Sequence, residues 1–344
     1  EEGNEETPYS RYFPSQQDFR ASGVRATART LERATVSSET RRKLASLLKN
    51  ESIDAAYVVH IYHQLGTVML NDLADRGIPT VLSLHDYKIA CPNYRFFSER
   101  TDKICTKCLD HRSGYLWAPA VERCWSGSRT AGIALSLEAL ATRGRQSYRR
   151  PGAVVVLNTL QEQAALSAGV DASRVHRIAH PVALGSVRPS ADRTHVLFIG
   201  RLVPEKGVDI LIRAAQISNV PVRIVGDGRS TDALRSLAMS IKAPVEFLGA
   251  VPSGEVPTLL KRAAALAVPS VWHEVSPLVV YEAIAADVPV IGSSVGGMVD
   301  QLGAGRGVLV KPGDISGLGA AMRRLVDNPA EGRALSSAAR THAS

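Results

Sequence analysis

An α/β fold of two Rossmann-like, doubly wound domains facing a cleft is what this sequence predicts, and three observations carry the prediction. From residue 196 onward, short apolar β-branched runs alternate with helical periodicity, the pattern of a parallel sheet wrapped by helices. The same alternation runs less regularly between residues 55 and 178. Between them, Pro181-Val-Ala-Leu-Gly-Ser-Val-Arg-Pro-Ser-Ala-Asp192 is turn-rich and aperiodic, as a linker would be. At 344 residues and 45% apolar content the chain can bury at least one large core, and its length favours two domains.

In order, the first half offers strands at 55–59, 79–84, 153–157 and 175–178, with helical patterns at 65–75 and 160–168. A further helix from Thr130 contains Ile133, Leu135, Leu137 and Leu140. The second half offers strands at 196–199, 222–225, 245–248, 264–268, 288–291 and 307–310. Helices are expected to begin near Val208, Ser230, Glu255, Ser276 and Met298, and another to span 315–327. The domains are therefore placed at 1–185, with a cysteine-rich insert at 86–128, and at 193–344.

No apolar run approaches the roughly 20 residues that span a bilayer, because Pro, Gly or charge interrupts the longest ones. Residues 1–7 are acidic and polar, without the basic start and apolar core of a secretory signal. A cytoplasmic enzyme is expected, with the inner membrane surface as a further place of work. The net charge of +8 fits anionic substrates or a lipid surface. Nucleic acid is not expected, since the arginines are spread out and not interleaved with aromatic residues. The densest basic stretch, Arg143, Arg145, Arg149 and Arg150, closes the helix from Thr130. It reads first as cations at a helix C-terminus, and second as a membrane-docking face.

The chemistry concentrates in two stretches. In Val196-Leu-Phe-Ile-Gly-Arg-Leu-Val-Pro-Glu-Lys-Gly207, Gly200, Arg201 and Lys206 follow the end of an apolar strand, where open α/β sheets bind ligands. In Glu274-Val-Ser-Pro-Leu-Val-Val-Tyr-Glu282, Ser276 reads as an N-cap and Pro277 as the first helical residue. That leaves the N–H groups of Leu278, Val279 and Val280 without helical partners, and such an end attracts phosphate.

These linked motifs resemble the donor domain of retaining GT-B glycosyltransferases of the group 1 class, over residues 53–328. The resemblance implies that Arg201 and Lys206 contact a diphosphate, Glu274 lies near the donor sugar, and Glu282 binds the ribose. It also implies that Val251, after Gly249, lies in a base-binding loop, and that His85 in Pro79-Thr-Val-Leu-Ser-Leu-His-Asp86 faces the donor sugar. Gly226 and Gly228 end a strand where backbone meets a ligand or simply turns. The expected partners are a nucleotide sugar and an unidentified acceptor. No Asp-x-Asp metal motif matching metal-dependent transferases was found, so metal-independent transfer with retention is expected. The family opens with a strand and glycine-rich loop and closes with a returning helix; neither is found before Gly23 or after Ala339, so a fragment is expected. Alternatives are a nucleotide-sugar epimerase and a non-catalytic nucleotide-binding scaffold.

All four cysteines, Cys91, Cys105, Cys108 and Cys124, fall in the insert. Cys105-Thr-Lys-Cys108 forms a knuckle, and four thiolates would suit a structural zinc site. An iron–sulfur centre, disulfides and free thiols are the other readings. No catalytic cofactor is expected.

Overall fold

The computed structural model describes residues 7–15, 29, 31–33, 35–62, 64–98, 100–109, 117–125, 127–181 and 193–343. All of the expected linker after Pro181 lies outside them, as does part of the insert. The chain divides into two units: Glu1–Thr101 with Cys105–Ile178, and Ala179–Ser344 with Asp102–Ile104. The division thus falls earlier than the expected boundary at 185.

In the first unit, β1 (Ala56–Val59), β2 (Thr80–Ser83), β3 (Ala153–Val156) and β4 (Val175–Arg177) form a parallel sheet in sequence order. Its register pairs Val58 with Leu82, and Leu82 with Val154. Residues of both faces of the central strands are covered, which explains apolar runs without alternation. The helices of this unit include α1 (Ser38–Asn50), α2 (Val68–Asp75), α3 (Ala118–Glu122), α4 (Arg129–Gly144) and α5 (Thr159–Ser167). Ser128 caps α4 by accepting from the Ala131 N–H, and Asn158 caps α5 by accepting from the Gln161 N–H. Helix α1 was not anticipated, because its sequence is mainly polar. Its attachment is tertiary: Arg41 forms a forked ion pair with Asp72 of α2 at 2.9 Å.

The second unit holds β5 (His195–Ile199), β6 (Val222–Val225), β7 (Val245–Gly249), β8 (Ala263–Val268), β9 (Val290–Ser293) and β10 (Val308–Val310). All six are parallel, in the order β10-β9-β8-β5-β6-β7. The chain winds outward from β5 to β7, returns beside β5 as β8, and winds outward again. Between β5 and β8 the direction reverses, and a crevice opens at their carboxyl ends. Helices α6 (Val208–Ser218), α7 (Thr231–Ser240), α8 (Val256–Lys261), α9 (Leu278–Ala285), α10 (Gly297–Leu302), α11 (Ile315–Asp327) and α12 (Pro329–Ala343) cover the sheet.

One core, on one side of this sheet, joins Val196, Phe198 and Ile224 to Leu211 and Ile212 of α6 and to Leu318 and Met322 of α11. The other joins Leu197 and Leu266 to Val280 and Ile284 of α9 and Met298 of α10. Strand β9 begins two residues later than expected, with the Leu266 N–H already donating to the Pro289 carbonyl. Helix α12 escaped notice because its buried positions are Gly332, Ser336 and Ala339. Small residues allow close packing but carry almost no hydrophobic periodicity.

Candidate functional site

The switch between β5 and β8 sets the site of the second unit. After Ile199 the chain passes through Gly200 and exposed Arg201 into a short turn, Pro204–Lys206. Gly207 follows at φ +65°, and a Cβ there would lie 2.1 Å from the Pro269 carbonyl oxygen. Glycine is thus what lets the turn after β5 approach the end of β8. That approach brings Lys206 to Glu274: Nζ and Oε1 are 2.7 Å apart, and both side chains are largely buried. Ser270, two residues beyond β8, donates its hydroxyl to the same Oε1 at 2.5 Å. The Lys206 ammonium also lies 5.6 Å from the centre of the Trp272 ring.

The carboxylate of Glu274 is therefore oriented by a hydroxyl and an ammonium. Its backbone is fixed too, since its carbonyl accepts from the Gly297 N–H at 2.7 Å. Arg201 lies in solvent, and among the described residues it has no ion-pair partner. The site thus combines one cation already engaged with one still available. Beside it, burial holds the His273 imidazole down at about 4, so it is neutral near pH 7.

Gly226 and Gly228 belong to the packing of this edge. A Cβ at Gly226 would meet the Gly200 carbonyl oxygen at 1.9 Å, and one at Gly228 the Leu202 carbonyl oxygen at 2.4 Å. Close backbone approach after β6, within the protein itself, accounts for both glycines.

Helix α9 starts one residue later than expected. Pro277 is its N-cap, in extended conformation, without a side-chain cap. Ser276 does not cap; its hydroxyl donates to the Tyr281 hydroxyl at 3.2 Å. The Val280 N–H, expected to be unpaired, donates to the Pro277 carbonyl. Leu278 and Val279 begin the helix, with Leu278 exposed and Val279 packed on the core. Glu282 is exposed on α9, and Val251 is half-buried against the same core.

In the first unit, His85 follows β2, with Nε2 3.2 Å from the Ser83 hydroxyl. The ring of His60, after β1, lies 5.2 Å from that of His85, centre to centre. His60 is at φ +49°, left-handed for a non-glycine residue. Asp86, 3.7 Å from its Nδ1, raises the His60 pKa. Sequence reasoning missed His60, Ser270 and Trp272; a polar residue just beyond an apolar strand was the signal for His60 and Ser270.

None of the four cysteines forms a disulfide, and Cys91, Cys108 and Cys124 are buried. They face one another electrostatically. Burial and the charges of Cys91 and Cys105 push the Cys124 thiol up to about 12. Cys108 is raised by its hydrogen bond with Cys91 and by burial. Burial opposes ionisation of Cys91, but hydrogen bonds led by that from Cys108 outweigh it and lower its pKa. The expected zinc site is not formed: among the described residues no three ligating side chains are placed to hold a metal ion. Cys91 donates to Asn93 Oδ1 at 2.9 Å and also shares a hydrogen bond with Cys108.

No helix among the described residues is long and apolar enough to cross a membrane.

Residues 186–342 match the family model described as Glycosyl transferases group 1. Glycogen synthase of Mycobacterium tuberculosis is 33% identical over 189 residues, 53% of this chain and 44% of that protein. The chain therefore matches less than half the length of that relative. The 2-deoxystreptamine glucosyltransferase of Streptomyces kanamyceticus is 28% identical over 285 residues, 79% of this chain and 68% of that enzyme. Among solved structures, HepE of Anabaena in complex with UDP-glucose superposes with a TM-score of 0.60 at 19% identity, covering 89% of this chain and 77% of HepE. The parallel α/β architecture is that of GT-B structures.

Proposed function

We propose that this protein, whose residues 186–342 match the family model described as Glycosyl transferases group 1, moves a sugar from a nucleoside diphosphate to an acceptor hydroxyl with retention. The observation that carries the proposal is the Lys206–Glu274–Ser270 group at the β5/β8 switch, with Arg201 open beside it. Departure of a nucleoside diphosphate puts negative charge on phosphate oxygens, and stabilisation must be aimed there. Lys206 has three N–H donors, so it can bind a phosphate oxygen while keeping Glu274. Arg201 can clamp a second oxygen in a fork. Two cations then do what a divalent metal does in other transferases, and the donor reaction is read as metal-independent.

Glu274, oriented by Ser270, accepts hydrogen bonds from donor-sugar hydroxyls. Glu282, about one turn into α9, receives the ribose hydroxyls. The N–H groups of Leu278 and Val279, after Ser276 and Pro277, add partial positive charge at the helix start. Val251 and the backbone after Gly249 border the base, and Gly200 lets the diphosphate come close. In the transfer step the acceptor oxygen bonds to the anomeric carbon as its bond to the phosphate oxygen breaks. The departing phosphate takes the acceptor proton on the same face, which gives retention without a protein nucleophile. His85 is assigned to the sugar side of the donor. Synthesis of a polysaccharide, a glycolipid or a glycosylated metabolite is the proposed setting, on the cytoplasmic side and in peripheral contact with a membrane.

Calorimetric titration with uridine, guanosine, adenosine and thymidine diphosphates in chelator-containing buffer tests this reading. One nucleotide should bind, and the Arg201→Ala/Lys206→Ala variant should lose about 2–4 kcal/mol of that affinity. Equal affinity in wild type and variant overturns the site. Nucleotide binding without turnover across a panel of sugar donors and acceptors would favour a scaffold over a transferase.

A further inference from the structure

Helix α4 buries polar side chains and exposes aliphatic ones. Its inward face carries Leu135 together with Ser136, Glu138 and Thr142, all buried. Glu138 is ion-paired with Lys88 at 2.6 Å, and the Thr142 and Thr67 hydroxyls are 2.8 Å apart. Its outward face carries Ile133, Leu137 and Leu140, which are 46%, 38% and 48% exposed. Their spacing of four and then three residues places them in one stripe along the helix. Exposed arginines bracket the stripe, Arg129 at the start and Arg143 and Arg145 at the end.

Helix α3 extends the apolar surface. Its backbone lies against α4 at Gly132, where a Cβ would be 2.3 Å from the Pro119 carbonyl oxygen. Trp117 and Val121, at its two ends, are 59% and 70% exposed. Single exposed apolar residues need no explanation, but five on two packed helices, over an inner face that is polar apart from Leu135 and Gly132, do.

We propose that the outward face of α4, extended by α3, rests on an anionic lipid surface, the aliphatic side chains and Trp117 entering the headgroup region and the arginines meeting lipid phosphates. The charge chooses the occupant. A cationic rim around an aliphatic stripe suits anionic headgroups above acyl chains, and the whole chain carries +8. Tryptophan is at home in that interface. The inference stands independently of the donor site, which lies in the other unit.

The test is co-sedimentation of the full chain with vesicles of phosphatidylcholine, alone or with about one third phosphatidylglycerol. Binding should require phosphatidylglycerol and weaken with salt. Ile133→Ser/Leu137→Ser/Leu140→Ser should reduce it by about a hundredfold, and Arg129→Gln/Arg145→Gln by about tenfold. These positions are exposed, so thermal unfolding and nucleotide affinity should stay as in the parent. Absence of vesicle binding, or equal binding by the serine variant, overturns the proposal. So does a dimer in analytical ultracentrifugation that the serine variant abolishes while no vesicles bind.

Discussion

Each unit contains a buried lysine–glutamate pair, and the two differ in closure. Lys88 lies 2.6 Å from Glu138 and also donates to the Pro92 carbonyl at 2.7 Å, with both side chains at most 6% exposed. Lys206 lies 2.7 Å from Glu274 but keeps 18% of its side chain exposed, beside an indole face. The Lys88–Glu138 pair has its polar partners built in. The open pair has one carboxylate, one hydroxyl and a margin of solvent. Similar chemistry is therefore more deeply buried in the first unit than in the second.

Removing one member of each pair is the most direct way to break this comparison. Lys88→Ala strands Glu138 and should cost about 3–5 kcal/mol of stability, read from denaturant unfolding. Lys88→Met/Glu138→Leu should recover most of that loss, because neither charge is then left alone. Lys206→Ala should cost less stability, about 2 kcal/mol, and show its main effect in diphosphate affinity. Equal destabilisation at the two sites, with nucleotide binding intact in the Lys206 variant, would erase the distinction.

The next contrast is conformational. Gly226→Ala should destabilise the second unit by about 1–3 kcal/mol, since the residue sits at φ +132° and its Cβ would strike the Gly200 carbonyl. Gly144→Ala, at the end of α4 with no atom within 4 Å of the added Cβ, should leave melting within experimental error.

Acid sharpens the comparison with the smallest effect. In the second unit, burial holds His195 and His273 down at about 4. Between roughly pH 6.5 and 4 the unfolded chain binds these protons and the folded one does not, so stability falls on acidification. The ceiling is about 1.4 kcal/mol per pH unit for each imidazole. In the first unit, Asp86 raises the His60 pKa, so its contribution is fully present below about pH 6.5 and is lost as pH rises past the raised value. Thermal scans across pH should show the second unit weakening first under acid; pH-independent melting of both would overturn this assignment.

Periodicity located the ten strands of the two large sheets to within a residue or two at nearly every end, because the strands are written mainly in Val, Ile, Leu and Ala. Elements held by small residues or ion pairs were not legible: α12 packs through Gly332 and Ala339, and α1 is tied by Arg41 to Asp72. The cysteine spacing suggested zinc, yet spacing along the chain does not fix where thiols point, and among the described residues no three ligating side chains are placed to hold a metal ion.

By itself the sequence determined the parallel α/β class, the strand ends that carry Arg201, Lys206 and Glu274, and the glycines that let those ends meet. These are local properties, set by side-chain period and backbone freedom. Only the tertiary structure decided that Lys206 and Glu274 share an ion pair, that Ser270 completes it, and that α4 turns its aliphatic face outward. Those outcomes depend on which residues the winding of the sheet brings together, and on which face each neighbouring element leaves uncovered.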